Sequence, residues 1–283
     1  MTHRIIAKLD IKGPNLVKGI HLEGLRVLGK PENFAKYYFE NGADELLYMD
    51  VVASLYNRNS LHEIITKTAK EIFIPLTVGG GIRTVEDIKA VLRAGADKVS
   101  LNSAAVKNPS IIEEASKIFG SSTIAVSIEA IKQPNGKYFA YIDNGREETG
   151  LEVLDWAKKV ESLGAGEIII TSVDKEGTAE GYDIELTKMV SQSISIPVVA
   201  CGGAGSANDV YRVIIEGGAD AVIIASILHY DFIQNNPLSS DFKEEGNIEF
   251  LKKGVNYSKI KPTSIAGIKK YLEEKGISVR SIT

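Results

Sequence analysis

The sequence predicts a single (β/α)8 barrel over residues 1–283. Three observations carry that expectation: eight short apolar runs separated by helix-period segments, a twofold internal repeat, and no GxGxxG of the kind that opens a doubly wound dinucleotide fold. The runs, in order, are "RIIAKLD" (4–10), "DELLYMDVV" (44–52), "IPLTVGG" (74–80), "DKVSLN" (97–102), "TIAVSIEA" (123–130), "EIIITSVD" (167–174), "IPVVACGG" (196–203) and "DAVIIAS" (220–226). Each is apolar on both faces and bounded by Gly, Asp or Ser, as parallel strands covered by helices require. The segments between them read as amphipathic helices; "TVEDIKAVLRAGA" puts Val85, Ile88 and Leu92 on one stripe.

Composition sets outer limits. With 283 residues, 44% hydrophobic and 25% charged, the chain has the material for one large core. "MTHRIIAKLD" lacks a leader-like apolar region and no run approaches 18 apolar residues, so a cytoplasmic protein without a membrane contact is expected. A single cysteine, Cys201, excludes an internal disulfide, and His3, His21, His62 and His229 show no metal-ligand spacing. The net charge of −4 argues against a nucleic-acid surface.

The repeat divides the chain into two half-barrels. "IPLTVGGG" at 74 returns as "IPVVACGG" at 196, a shift of 122, "GADELLYMD" at 42 returns as "GAGEIIITS" at 164, and "GAD" at 95 returns at 218. The first and fifth strands then correspond as well, "AKLD" (7–10) with "VSIE" (126–129), so Asp10 and Glu129 fall at equivalent strand ends. Chemistry in such barrels sits at the C-terminal strand ends. One strand-end Asp alone could equally cap a turn. Two carboxylates placed by symmetry across the mouth suit general acid and base work.

Glycines follow the third strand, "GGG" (79–81), and the seventh, "GG" (202–203). A helix comes after each, then a strand running into "NSA" (102–104) or "ASI" (225–227). Glycine admits an anion close to backbone N–H groups, and helix N-termini add donors. One such turn is weak evidence. Two at half-barrel spacing predict a substrate with a phosphate at each end and its reactive middle between Asp10 and Glu129.

These residues carry a resemblance. "RIIAKLDIK", "FIPLTVGGGIRTVEDIKAVLRAGADKVSLNSAAVKNP", "TSVDKEGT" followed by "GYD", and "IPVVACGGAG" resemble the cyclase subunits of imidazole glycerol phosphate synthase, of histidine biosynthesis, over residues 1–230 and the last twenty or so. The resemblance implies that ammonia from a partner glutaminase passes through the barrel. It attacks the ketose carbon of a bisphosphorylated formimino aminoimidazole carboxamide ribulotide, giving imidazole glycerol phosphate and an aminoimidazole carboxamide ribotide. It implies Asp10 and Glu129 as acid and base, and phosphate contacts from Gly81, Asn102 and Ser103 at one end. At the other end it implies Gly177, Gly202, Gly203, Ala225 and Ser226, with Lys18 in the first loop closing over the substrate. Arg4, Glu45, Lys98 and Glu167 match the family's charged gate at the bottom of the barrel, which implies a glutaminase docked on that face as a heterodimer. No metal or organic cofactor is implied.

The chain departs from the family at Glu129, where Asp is usual, at Glu176, also for Asp, and at Lys8, where Cys is common. A polar insert is expected over about 231–260, after the eighth strand, either as a surface excursion or as a lid. The insert and Glu129 leave an alternative: an ammonia-channelling barrel serving amidation of a surface-polysaccharide sugar. A third reading is the sister phosphoribosyl isomerase, against which the gate residues and "TSVDKEGT" count.

Overall fold

All eight predicted runs are strands in the computed structural model, which describes residues 2–53, 61–236 and 260–282. The strands are β1 (Arg4–Lys12), β2 (Asn15–Ile20), β3 (Glu23–Gly29), β4 (Glu45–Asp50), β5 (Leu76–Gly79), β6 (Lys98–Leu101), β7 (Ile124–Lys132), β8 (Tyr138–Ile142), β9 (Glu147–Glu152), β10 (Glu167–Ser172), β11 (Val198–Cys201) and β12 (Ala221–Ile224). Eight of them, in the order β1, β4, β5, β6, β7, β10, β11 and β12, pair in parallel and close on themselves where β12 meets β1. The chain is therefore a (β/α)8 barrel.

Two cores follow from the period of two along each strand. Residues facing outward, among them Ile5, Ala7, Leu9, Leu46 and Tyr48, pack under the helices. Residues facing inward, Ile6, Leu47, Ala125, Ile169, Val199, Ala221 and Ile223, form a separate apolar belt inside the barrel. The helices are held by their own chemistry: Thr84 and Asp87 close a capping box on helix Val85–Ala94, and Ser206 and Ser264 cap helices Ala207–Ile215 and Ile265–Glu274.

The repeat is visible in the register. Asp10 lies beside Met49 and Glu129 beside Thr171, and positions 49 and 171 are themselves related by the shift of 122. With β1 and β7 four strands apart in a ring of eight, the two carboxylates stand on opposite sides of the mouth. Each half also extends its first strand into an antiparallel hairpin, β2–β3 after β1 and β8–β9 after β7. The first of these was expected as a loop.

The recurring "GAD" has a structural cause. Asp44, Asp97 and Asp220 each accept the backbone N–H of a neighbouring strand, from Ile5, Leu76 and Val198 at 2.7, 2.8 and 2.9 Å. The fourth copy reads "GAG" because a Cβ at Gly166 would come to 2.1 Å from the Ser121 carbonyl oxygen. Asp44 does more than its counterparts. It also receives Lys269 Nζ at 2.7 Å and Arg280 Nε at 2.8 Å, tying the C-terminal helix to the barrel bottom. Asp44→Asn leaves the Lys269 ammonium buried with a poorer partner, and a loss of about 3–5 kcal/mol in unfolding free energy is expected from denaturant titration. A loss below ~1 kcal/mol would show that the clamp contributes little.

The insert differs from its expected boundary. Residues 231–235 complete helix Ser226–Asn235, where Phe232 packs on Phe34 with ring centroids 4.1 Å apart. A helical, apolar anchor thus replaces the first part of the expected polar excursion, and 237–259 lie outside the described residues.

Candidate active site

Asp10, near the end of β1, is buried and stands between two ammonium groups, Lys8 Nζ at 3.0 Å and Lys18 Nζ at 3.6 Å. Lys8 is two residues upstream on the same inward face. Lys18 sits on β2 and is buried, turned into the barrel mouth, where it also pairs with Glu176 Oε1 at 2.5 Å. Burial disfavours the Lys8 ammonium, but Asp10 and Glu176 outweigh it and hold its pKa well above the usual lysine value. For Glu176, burial likewise works against the charge, yet Lys18 and Lys8 draw its carboxyl below the usual range.

Glu129 meets a different environment. Its Oε2 accepts the Gly145 N–H at 2.8 Å, from the turn of the β8–β9 hairpin, and burial pushes its pKa up to about 7 against that bond. The extra methylene, relative to the Asp usual in the resembled family, thus ends on a hairpin donor. Two opposed carboxylates, one ion-paired with two lysines and the other buried on a single backbone donor, are an arrangement that can divide acid from base work.

Glu129 lines a cavity of about 380 Å³ together with Gly81, Asn102 and Ser103, so the structure brings these four predicted residues together. The glycine turn beneath is required there: Gly80 has φ +91°, and a Cβ on it would lie 2.2 Å from the Asp50 carbonyl oxygen. Ser103 opens helix Ser103–Lys107 and donates to Asp143 Oδ1 at 3.1 Å. Across the mouth, Lys18, Gly177, Gly202, Gly203, Ala225 and Ser226 gather around a second, smaller cavity. Ser226 opens helix Ser226–Asn235, and Gly203, at φ +103°, packs so that a Cβ would meet the Gly181 carbonyl oxygen at 2.1 Å. Glycine is required at both turns because neighbouring backbone already stands where a Cβ would go.

At the opposite end, Arg4, Glu45, Lys98 and Glu167 are the first residues of β1, β4, β6 and β10. They close an alternating ring: Arg4 to Glu45 at 2.7 Å and to Glu167 at 2.8 Å, and Lys98 to Glu45 at 3.0 Å and to Glu167 at 3.1 Å. Burial opposes the charge on Glu167, but Lys98 and Arg4 prevail and lower its pKa. Thr77 donates to Glu45 Oε1 at 2.6 Å and fixes it further. The apolar belt of Ile6, Leu47 and Ile169 lies between this ring and the mouth.

Four residues at the mouth, Lys8, Glu176, Asp143 and Asn144, escape sequence reasoning as site residues. Lys8 was noted only as a departure, although period-two spacing from Asp10 puts it on the same face. Asp143 and Asn144 line the larger cavity from the β8–β9 turn, with φ +53° and +61°, and no pattern announced that hairpin. Among the described residues, no cluster of three or more His, Cys, Asp or Glu could hold a metal ion, and no helix is long and apolar enough to cross a membrane.

Fold and site together define an enzyme barrel of two repeated halves, with opposed carboxylates between two glycine turns. Residues 4–234 match the model of the family described as "Histidine biosynthesis protein". The chain is 58% identical over 202 residues to the imidazole glycerol phosphate synthase subunit HisF of Legionella pneumophila, covering 71% of this chain and 95% of that protein. It is 47% identical over 244 residues to the subunit of the same name from Alkaliphilus metalliredigens (86% and 97% covered). The match to that of Methanococcus vannielii is 48% over 250 residues (81% and 92%). The chain belongs to this histidine-biosynthesis family, among the cyclase subunits of imidazole glycerol phosphate synthase. These relatives carry the synthase-subunit name rather than that of the sister isomerase, and favour the cyclase over both alternatives raised by the sequence.

Proposed function

We propose that the mouth of this barrel binds the bisphosphorylated ribulotide across its diameter, with one phosphate at Gly81, Asn102 and Ser103. The other meets Gly177, Gly202, Gly203, Ala225, Ser226 and Lys18. The observation that carries this reading is the pair of opposed strand-end carboxylates in unlike surroundings: Glu129 lines the cavity at the first glycine turn, and Asp10 is ion-paired with Lys8 and Lys18, which line the cavity at the second. Ammonia adds to the ketose carbon held between them. Asp10, an anion between two ammonium groups, accepts protons as the adduct reorganises. Glu129, half protonated near pH 7, donates one to the departing group as the chain is cleaved and the imidazole ring closes. Formation of imidazole glycerol phosphate from the ribulotide and an ammonium salt, by this chain alone, tests the reading.

The ring of Arg4, Glu45, Lys98 and Glu167 is the proposed entrance for ammonia, with a glutaminase docked over it to form a cytoplasmic heterodimer. Support comes from the position of all four residues at strand starts and from the apolar belt above them, through which neutral ammonia passes more readily than ammonium. Lys98→Met breaks two of the four ion pairs. In the complex, the expected result is a change of about tenfold or more in glutamine-driven product formation per glutamine hydrolysed, with turnover driven by external ammonium altered less than ~2-fold. Equal effects on both rates would assign the ring to stability alone.

A further inference from the structure

An anion of the protein's own, held by two lysines, already lies beside the second glycine turn. Glu176 Oε2 lies so close to Gly202 that a Cβ on that glycine would come to 3.2 Å from it. Its Oε1 is 2.5 Å from Lys18 Nζ and 3.7 Å from Lys8 Nζ. All three side chains line the cavity with Gly203 and Ser226, where about 20 Å³ stays free beside the carboxylate, room for about one water. A larger cavity of about 330 Å³ opens next to it over Lys18, Gly177 and Ser226, from which a phosphate reaches the turn only by taking the carboxylate's place. The buried cluster of Lys8, Lys18, Asp10 and Glu176 is balanced, two charges of each sign. A phosphate placed at the turn adds negative charge beside the Glu176 carboxylate, and in so dry a site that repulsion is far larger than in water.

We infer that Glu176 is the resident counter-anion of this site and Lys8 a second phosphate-binding cation beside Lys18, so that a substrate phosphate enters by exchanging with the Glu176 carboxylate. The inference rests on the reading of the Gly202–Gly203 turn as a phosphate site. It gives two departures from the resembled family one cause: an added cation and a lengthened anion that meet in the same cavity. It also explains why Lys8 can face a phosphate without abandoning Asp10, since its ammonium already bridges the two carboxylates.

Calorimetric titration of the full chain with inorganic phosphate tests it. Glu176→Gln is expected to bind at least about tenfold tighter than the unaltered protein, and Lys8→Met at least about tenfold weaker. Ser226→Asp, which plants a carboxylate in the same cavity, removes the binding event that belongs to this end. Unchanged or weaker binding in Glu176→Gln overturns the exchange, and unchanged binding in Lys8→Met overturns the role of Lys8. Thermal melts establish that each variant is folded. Should Lys8→Met not fold, Lys8→Gln supplies the neutral replacement with the same expected loss. Because the readout is binding, a chain that binds as expected but makes no product overturns the proposed reaction alone. Turnover with unchanged affinity in Glu176→Gln overturns this inference alone.

Discussion

Asp10→Asn lowers ammonium-driven turnover by about 10²–10⁴-fold, the range for removal of a positioned general base, while the substrate still binds. The substitution is nearly isosteric, so the shape of the mouth is kept. What is lost is an acceptor. The amide offers no anion to the proton released as ammonia adds; its oxygen still accepts from one of Lys8 and Lys18, and its NH2 faces the other where an ion pair now stands. Binding survives because the glycine turns and the helix starts at Ser103 and Ser226 are untouched. Steady-state kinetics beside equilibrium binding of the ribulotide check the split. Loss of affinity with the fold intact would instead make Asp10 a ligand-holding residue.

Glu129→Gln has a comparable effect, about 10²–10⁴-fold on turnover, and it also changes the pH profile. With its pKa raised to about 7, Glu129 carries its proton below that pH and loses it above, so a general-acid role predicts an alkaline fall in rate with a midpoint near 7. The residual rate of Glu129→Gln lacks that limb. Stability follows the same sign. The folded value lies above the ordinary 4.5, so the folded state binds more protons through this window. The contribution is complete below pH 4.5, declines as pH rises, and is gone above about 7. Thermal melts between pH 4.5 and 8 should therefore show a shallower decline in Glu129→Gln. An unchanged alkaline limb in the variant would assign the titration to another group.

Much of this was legible in the sequence, for reasons that particular residues show. Parallel strands covered on both faces read as apolar runs, so "EIIITS" and "AVII" declared themselves, and the half-barrel shift located Asp10 and Glu129 at matching registers. The hairpins did not declare themselves. β9 reads "EETGLE", polar and largely exposed, and owes its strand conformation to pairing with β8 rather than to its own pattern. With that hairpin unseen, Gly145, Asp143 and Asn144 could not be placed near Glu129. Lys8 was readable by alternation from Asp10, but a lysine inside a barrel runs against burial statistics, and only the carboxylates of Asp10 and Glu176 make it tolerable there.

The measurement that bears most directly on the central claim is turnover of the bisphosphorylated ribulotide by the isolated chain with an ammonium salt, following imidazole glycerol phosphate as it forms. External ammonia bypasses any glutaminase, so the rate reports the chemistry of the mouth alone. Product formation that disappears in both Asp10→Asn and Glu129→Gln is the predicted result. Tight binding of the ribulotide without product, in the unaltered chain, would contradict it and show that Glu129 does not serve where the family has Asp.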